Sequence, residues 1–295
     1  MSRNLSMMAS GLRWAFPCGK WQPTEKEWTL SASLIQPEEK DRIGKFVFQK
    51  DAKSAMAGRL LLRKAVNDTL NIRWNHIKLE RTEKGKPYLV NQVSNDFSKF
   101  NFNVSHQGDY AVLAAEVHNL VGIDVMKVET RAGGNVQLFF NTMARQFTFD
   151  EWKQIKCTAN EHEQLCRFYR FWCLKESYVK ALGIGIGFDL QRVSFNTPTL
   201  TLTPGVIVRD TEVYVDEEKQ EDWVLEETKL DDEHYVAVAQ QIRTKEGNLP
   251  HPPSRPGVFK ELNFEELTEN AKPLSAIDIP YWMNFDAKLE KPNRR

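Results

Sequence analysis

The spacing of apolar residues along the chain predicts a mixture of amphipathic helices and buried strands. Apolar side chains recur every three or four residues from Ala52 to Leu70 and again from Glu163 to Leu182, which predicts two long helices. Shorter helices are expected from Pro37, where proline and two glutamates favour a first turn, and at residues 147–155. Period-two alternation or short apolar runs predict strands at residues 12–16, 77–79, 88–90, 100–105, 110–116, 120–125, 190–195, 200–202, 223–229 and 235–240.

The second half of the chain repeats the order of elements predicted for the first half. In each half two helices precede strands, and Tyr235 begins a Val/Ala-rich strand 125 residues after Tyr110 begins a similar one. We therefore predict an α+β fold of two similar α/β lobes related by a pseudo-two-fold axis, residues 1–117 and 118–245, with a cleft between them. Such clefts are preferred positions for ligand sites. Residues 246–295 are expected to form a Pro-rich, partly mobile extension with one short amphipathic helix.

The composition is that of an ordinary soluble globular protein. Of the 295 residues, 41% are hydrophobic and 27% charged, and 40 basic side chains balance 40 acidic ones. A neutral chain lacks the positive charge expected of a general nucleic-acid-binding protein. We recognise no run of the roughly 18 apolar residues that a membrane span needs and no signal peptide, so we expect a cytosolic protein with no nucleic-acid or membrane partner. The four cysteines lack zinc-ligand spacing and are expected to be free thiols.

Asp124 is the first candidate for a chemical role. It ends the tetrapeptide Val-Gly-Ile-Asp inside an apolar strand, where aspartate is rare. The simplest alternative is a carboxylate that accepts backbone N–H bonds at a strand end. Gly122 favours a functional role, because glycine within a strand often marks close approach by a ligand or by another backbone. This strand is expected to pair with residues 110–116 through a turn at His118 and Asn119.

Glu176 and Lys180 are further candidates, on the second long helix. They lie four residues apart, so their side chains are neighbours at the border of an apolar face. An ordinary exposed ion pair of this kind is common and is worth only about 0.3–0.5 kcal/mol. An aromatic-rich border partly buries the two charges, however, and buried charges need a partner such as a metal ion or a phosphate. Lys175 adds a second cation one residue before Glu176.

Two polar loops carry groups that are suited to binding phosphate. Arg81, Lys84 and Lys86 surround a glycine turn, and Arg42 lies on the helix that begins at residue 37. Such a basic turn is also typical of a solvated hairpin, and it is not a Walker loop because the Gly-x-x-x-x-Gly-Lys-Ser/Thr pattern is absent. Residues 103–107, Asn-Val-Ser-His-Gln, end a strand and offer amide, hydroxyl and imidazole groups.

Together these segments resemble the paired signature of the phosphopantetheinyl transferases. The Val-Gly-Ile-Asp motif at 121–124 precedes Trp-x-x-Lys-Glu-Ser-x-x-Lys at 172–180, and two unrelated motifs in this order are a specific signal. The resemblance covers about residues 12–243 and is to the two-lobed, Sfp-type branch. It implies an enzyme that transfers phosphopantetheine from coenzyme A to a serine of a carrier-protein domain, releases adenosine 3′,5′-bisphosphate and uses Mg²⁺ as its cofactor.

The same resemblance implies roles for individual residues. Asp124 and Glu176 would bind Mg²⁺, and Lys180 would join them as the catalytic residues. Family members often carry a second acid where this chain has Met126, so the third metal ligand would be Gln107 or water. Coenzyme A would be held by Arg42, Arg81, Thr82, Glu83, Lys84, Gly85, Lys86, Asn103, Val104, Ser105, His106, Glu176 and Lys180.

The chemistry expected from this resemblance is phosphoryl transfer. Mg²⁺ and Lys180 would neutralise the pyrophosphate, and Glu176 would deprotonate the serine directly or through a metal-bound water. The expected partners of this monomeric enzyme are coenzyme A and acyl-carrier-protein domains, such as those of fatty-acid synthase and of aminoadipate-reductase-type proteins. The alternative is a non-catalytic sensor of coenzyme A or nucleotide, although a sensor need not retain both Asp124 and Glu176.

Overall fold

The computed structural model describes residues 11–129, 135–242 and 259–291, and it confirms the α+β class. The helices are α1 (Glu25–Ser33), α2 (Pro37–Gly44), α3 (Gln49–Leu70), α4 (Val136–Thr142), α5 (Phe149–Ile155), α6 (Glu161–Leu182), α7 (Phe264–Leu267) and α8 (Ile279–Asp286). The strands are β1 (Leu12–Phe16), β2 (Leu79–Arg81), β3 (Pro87–Leu89), β4 (Asn101–Gln107), β5 (Tyr110–Glu116), β6 (Leu120–Lys127), β7 (Val193–Asn196), β8 (Glu212–Val215), β9 (Glu218–Lys219), β10 (Trp223–Lys229), β11 (His234–Gln241) and β12 (Lys260–Glu261).

Two sheets form the body of the protein and have the same internal order. The strand orders are β12-β1-β5-β4 and β10-β11-β6. In the first sheet β5 is flanked by β1 and β4, and it pairs antiparallel with both. In the second sheet β11 is flanked in the same way by β6 and β10, again antiparallel to both. A long helix packs on each sheet, α3 on β4 and β5, and α6 on β6 and β11. The order of strand, helices and strand pair is therefore common to both halves.

Two predicted strand arrangements are wrong. β5 and β6 do not form a hairpin, because β5 pairs with β1 and β4 whereas β6 pairs with β11. The turn at His118 and Asn119 instead carries the chain from one sheet to the other. The described residues 200–202 form no strand, and β7 pairs with β8. Leu202 is apolar because its side chain is buried in the core beside α6.

The edges of the two sheets meet along a row of side-chain hydrogen bonds between β4 and β6. The backbone N–H groups of Val121 and Ile123 donate to the amide oxygens of Asn101 and Asn103 at 3.2 and 3.1 Å. Donor and acceptor are 20 residues apart in both contacts, and the same separation recurs where the amide oxygen of Gln107 accepts from the backbone N–H of Lys127. Buried backbone donors need acceptors, and here side-chain amides supply them in place of a second neighbouring strand. β4 thereby holds β6 in a defined register.

The end of the chain completes the apolar core of the first half. β12 pairs parallel with β1, and the ring of Phe285 on α8 stacks on Trp28 of α1 with centroids 3.8 Å apart. The predicted Pro-rich linker at residues 249–256 lies outside the described residues. Within the part of the chain that the structure describes, no helix has both the length and the apolar character needed to cross a membrane.

Candidate active site

Helix α6 lies directly on strand β6, and Gly122 makes this close approach possible. A Cβ at Gly122 would lie 2.1 Å from the carbonyl oxygen of Ser177 and 2.3 Å from the backbone nitrogen of Ala181. Close approach of another backbone was one of the two predicted reasons for a glycine here, and it is the one that the geometry shows. Because the helix passes so near, Glu176 and Lys180 face Asp124, two residues further along the strand.

Asp124, Lys180 and Ser105 form a compact polar cluster. The Lys180 ammonium donates to Asp124 Oδ1 at 2.6 Å and to Ser105 Oγ at 2.9 Å, and Ser105 Oγ donates to the same Asp124 oxygen at 2.7 Å. Asp124 and Ser105 are buried, whereas Lys180 is partly exposed. The alternative of an ordinary ion pair between Glu176 and Lys180 is not what the structure shows, because among the described residues Lys180 forms its ion pair with Asp124.

The second oxygen of Asp124 and the carboxyl of Glu176 are suited to a divalent cation. Asp124 Oδ2 is buried and has no hydrogen-bond partner within the described residues. Burial and the charge of Asp124 raise the pKa of Glu176, against the opposing effect of Lys180. A divalent cation bound by both carboxylates would give Asp124 Oδ2 a partner and would stabilise the charged form of Glu176. No group of three or more His, Cys, Asp or Glu side chains in the described ranges is placed to hold a metal, but Mg²⁺ needs only one or two carboxylates when substrate oxygens and waters complete its shell.

A cavity of 540 Å³ lies between the two halves, with Glu176 and Lys180 in its wall. Seven predicted site residues contribute to the lining, namely Lys84, Gly85, Lys86, Asn103, Val104, Glu176 and Lys180. Sequence reasoning missed other lining residues, among them Pro87, Gln146, Trp172, Val179, Phe188 and Leu190. Most of these are apolar and carry no signal that separates a cavity wall from a core. The lining therefore combines charged side chains from both halves with apolar side chains.

The basic turn between β2 and β3 joins the two halves at this cavity. The Lys84 ammonium donates to the carbonyl of Ile184 at 2.8 Å, and the Lys86 ammonium donates to the carbonyl of Lys180 at 3.2 Å. These carbonyls lie at the end of α6, where the last helical C=O groups lack partners and attract cations. Burial lowers the pKa of Lys86. The two lysines are thus a wall of the cavity as well as a link between the halves.

The remaining members of the predicted coenzyme A set lie around this turn. Thr82 closes the turn through its hydroxyl, which accepts from the Lys86 backbone N–H, and Glu83 is exposed. Arg81 and Arg42 both contact the carboxylate of Glu39, a residue that the sequence did not single out.

His106 is exposed on β4, beside the same group of cations. Partial desolvation and the nearby charges of Lys180, Arg59 and Arg42 lower the pKa of His106.

Three residues that the sequence analysis considered, Gln107, Lys175 and Met126, have contacts outside the cluster of Asp124, Lys180 and Ser105. The amide oxygen of Gln107 accepts from the backbone N–H of Lys127. This contact does not test the role of Gln107 as a third metal ligand, which stays a prediction. Lys175 is not a second cation of the site, because its ammonium is completely buried on the other side of α6. There it pairs with Glu151 at 2.9 Å and donates to two backbone carbonyls. Met126 packs against the core beside α6.

Comparisons with known proteins agree with the paired motifs. Residues 19–118 match the family model of the 4′-phosphopantetheinyl transferase N-terminal region, and residues 120–239 match that of the 4′-phosphopantetheinyl transferase superfamily. The chain is 48% identical to the L-aminoadipate-semialdehyde dehydrogenase-phosphopantetheinyl transferases of Homo sapiens and Xenopus laevis, each over 96% of this chain and 94% of the relative. It is 38% identical to a phosphopantetheinyl transferase of Thraustochytrium sp., over 80% of both chains. The chain therefore belongs to the 4′-phosphopantetheinyl transferase superfamily, and it is a transferase of phosphopantetheine.

Proposed function

We propose that this transferase moves phosphopantetheine from coenzyme A to a serine of a carrier-protein domain and that it depends on Mg²⁺. The observation that carries the proposal is the buried Oδ2 of Asp124, which has no hydrogen-bond partner among the described residues, close to Glu176 and Lys180 of the cavity wall. An unpaired carboxylate oxygen is costly in a buried position unless a ligand completes it. A cation that also binds pyrophosphate oxygens is such a ligand.

Each residue of the cluster has a separate task in this proposal. Lys180 and Ser105 hold Oδ1 of Asp124, which fixes the carboxylate and would leave Oδ2 available to a metal ion. Glu176 supplies the second carboxylate. When bound, Mg²⁺ supplies positive charge for the pyrophosphate of coenzyme A. Lys84 and Lys86 place two further cations in the cavity wall on the opposite half, and positioning with charge neutralisation accounts for most catalysis of phosphoryl transfer.

The transfer itself exchanges one P–O bond for another. The serine oxygen attacks the phosphorus that carries pantetheine, and the bond from that phosphorus to the bridging oxygen of the pyrophosphate breaks. Adenosine 3′,5′-bisphosphate leaves with the bridging oxygen, and the serine proton passes to Glu176. Glu176 lines the cavity, and a carboxylate there can accept the proton directly or through a metal-bound water.

The acceptor is inferred from the relatives. The human relative is named as the phosphopantetheinyl transferase of L-aminoadipate-semialdehyde dehydrogenase. We infer that the carrier domain of such an aminoadipate-converting enzyme is a substrate of this chain, and the family resemblance adds the acyl-carrier domain of fatty-acid synthase as a second candidate.

The test is transfer to apo carrier proteins. The enzyme is incubated with coenzyme A, Mg²⁺ and each carrier, and mass spectrometry follows the gain of the phosphopantetheine arm. We expect modification with the wild type, loss of modification when a chelator removes Mg²⁺, and turnover lowered roughly 10²-fold or more in Asp124→Ala and Glu176→Gln.

The matched control is Asp216→Asn, which removes a carboxylate that is paired with Arg192 on the exposed surface. This variant should keep the wild-type rate. Near-wild-type transfer by Asp124→Ala or Glu176→Gln at saturating Mg²⁺ would rule out the proposed site. A wild-type protein that modifies none of several carriers would rule out the proposed function.

A further inference from the structure

A buried histidine lies where the two sheets meet. His234 begins β11 and is 1% exposed. Its Nδ1 lies 2.8 Å from Oδ1 of Asp231. Burial alone would raise the pKa of Asp231, but hydrogen bonds from the His234 ring and from two backbone N–H groups lower it. A charged carboxylate only accepts hydrogen bonds, so Nδ1 carries the ring proton and Nε2 of the neutral ring is left as an acceptor.

The acceptor end of this ring holds the turn between β4 and β5. The backbone N–H of Asp109 donates to His234 Nε2 at 3.0 Å. Gly108 lets the turn come this near, since a Cβ there would lie 2.4 Å from the same nitrogen and 2.7 Å from Cβ of Lys127. Asp109 and His234 are 125 residues apart, and each stands directly before a tyrosine in a Val/Ala-rich strand. The contact therefore joins corresponding turns of the two halves.

Lys127 fastens the end of β6 to the same point. Its ammonium contacts Asp109 Oδ2 at 2.5 Å and Glu233 Oε2 at 3.2 Å, and its backbone N–H donates to Gln107 on β4. The same Asp109 oxygen lies farther from His234 Nε2, at 3.6 Å. His234, Asp109 and Lys127, which we call the His234 clamp, thus hold the ends of β4, β6 and β11 together.

The His234 clamp lies at one end of the row of hydrogen bonds between β4 and β6, and this row also carries part of the proposed metal site. Ser105 lies on β4 two residues before Gln107, and Asp124 lies on β6 three residues before Lys127. Ser105 Oγ donates to Asp124 Oδ1 at 2.7 Å, a contact that requires the two strands to keep their separation. A strand rises about 3.3 Å per residue, so the clamp acts within about 10 Å of Asp124 along β6.

Building on the proposed function, we propose that His234 is a positioning residue for the metal site. Its Nε2 holds the turn at Asp109, which fixes β4 against β6 and keeps Ser105 in contact with the Asp124 carboxylate. His234 touches no substrate in this arrangement. A part-buried N–H group that loses its acceptor is costly, so without the ring the turn is expected to move until that group finds another partner or water.

Asparagine and glutamine at position 234 separate the two ends of the ring. An asparagine amide reaches about as far as Nδ1, so His234→Asn can keep the contact with Asp231 but offers the Asp109 N–H no acceptor. A glutamine amide reaches about as far as Nε2, so His234→Gln supplies that acceptor.

The experiment measures transfer to an apo carrier protein in a Mg²⁺ titration, at a temperature where each variant is folded. His234→Asn should raise the Mg²⁺ concentration for half-maximal rate by about 10-fold, the lower end of the range for groups that orient metal ligands. It should also lower kcat, with little change in KM for coenzyme A. His234→Gln should stay near the wild-type values.

The matched control is Thr197→Val. Thr197 is buried directly after β7, and its hydroxyl donates to the amide oxygen of Gln154 at 3.1 Å. Loss of this hydrogen bond should lower the melting temperature and leave the Mg²⁺ requirement unchanged. A wild-type Mg²⁺ requirement in His234→Asn would overturn the positioning role, whatever the stability of the variant. Equal losses in His234→Asn and His234→Gln would overturn the role of the Nε2 acceptor.

Hydrogen–deuterium exchange separates this proposal from the proposed function. In the metal-free protein, peptides that cover β4 and β6 should exchange faster in His234→Asn than in the wild type, and at the wild-type rate in His234→Gln. Equal exchange in His234→Asn and the wild type would refute the clamp even if Mg²⁺-dependent transfer is observed. A wild type that transfers to no carrier, together with faster exchange in His234→Asn, would refute the proposed function and retain His234 as the residue that holds β4 against β6.

Discussion

The contact of α6 with β6 at Gly122 links folding to the proposed chemistry, and Gly122→Ala tests that link. The added Cβ would lie 2.1 Å from the carbonyl oxygen of Ser177, whereas ordinary contacts begin at 3.4 Å. The neighbours are backbone atoms, so no side chain can turn away, and α6 must retreat by roughly 1 Å. Overpacking of this kind costs about 1–3 kcal/mol or more of the free energy of unfolding.

The same retreat is expected to lower activity beyond the loss of folded protein. It moves Glu176 and Lys180 away from Asp124 and lengthens the 2.6 Å contact between Lys180 and Asp124. A displacement of about 1 Å at a reacting centre can lower the rate by roughly 10²-fold. The free energy of unfolding is measured by urea titration, and kcat/KM is measured at a temperature where the variant is fully folded.

Gly187→Ala is the matched control for this prediction. A Cβ at Gly187 meets no atom within 4 Å, so stability and rate should stay at wild-type values. A Gly122→Ala variant with wild-type stability and wild-type turnover would refute the reasoning. A destabilised variant that keeps the full rate when folded would show that the distance between α6 and β6 does not position the carboxylates of the proposed site.

Three further predictions follow from other contacts. Lys175→Met should lower the free energy of unfolding by about 3–5 kcal/mol because it leaves a buried carboxylate unpaired, whereas Lys180→Met should mainly lower turnover; the reverse pattern in urea titrations and transfer assays would contradict both assignments. The raised pKa of Glu176 means that the metal-free protein loses stability as the pH rises through that folded-state pKa. In the absence of metal, Glu176→Gln should therefore melt at a higher temperature than the wild type at neutral pH. Below about pH 4 the two proteins should melt at the same temperature, because residue 176 is then uncharged in both; equal melting temperatures at neutral pH would contradict the raised pKa of Glu176. Phe285→Ala should cost about 3–5 kcal/mol, as expected for a buried aromatic ring, while Met283→Ala on the same helix, 64% exposed, should change the free energy of unfolding little; similar effects of the two would show that the chain end does not contribute to the core.

Local patterns predicted several elements well because their signals lie within one segment. The strand at residues 12–16 has the predicted bounds, and the second long helix starts only two residues before the predicted position. Helix α1 was missed although Thr24 and Glu27 form a capping box that the sequence displays as Thr-x-x-Glu. Its apolar residues lack helical periodicity, so the cap was the only local signal for it.

Other features depend on residues that are far apart in the chain. Helix α3 begins three residues before the predicted start, because the backbone N–H groups of Gln49 and Lys50 donate to the carbonyls of Leu289 and Glu290. A helix start capped by a segment about 240 residues away leaves no mark near the helix itself. The hairpin expected between residues 110–116 and 120–125 failed for a similar reason, since both strands have partners elsewhere in the chain.

The sequence by itself determined the α+β class and the family, and it singled out Asp124, Glu176 and Lys180 as candidates, because a short motif can be recognised without knowing what surrounds it in the fold. Only the tertiary structure decided which charges work together. Lys175 and Lys180 belong to the same motif, but they project from different sides of α6. Lys175 is buried against Glu151 in the core, whereas Lys180 pairs with Asp124. The grouping of Glu39 with Arg59 depends on the packing of α2 against α3, and charge interactions act through space and not along the chain.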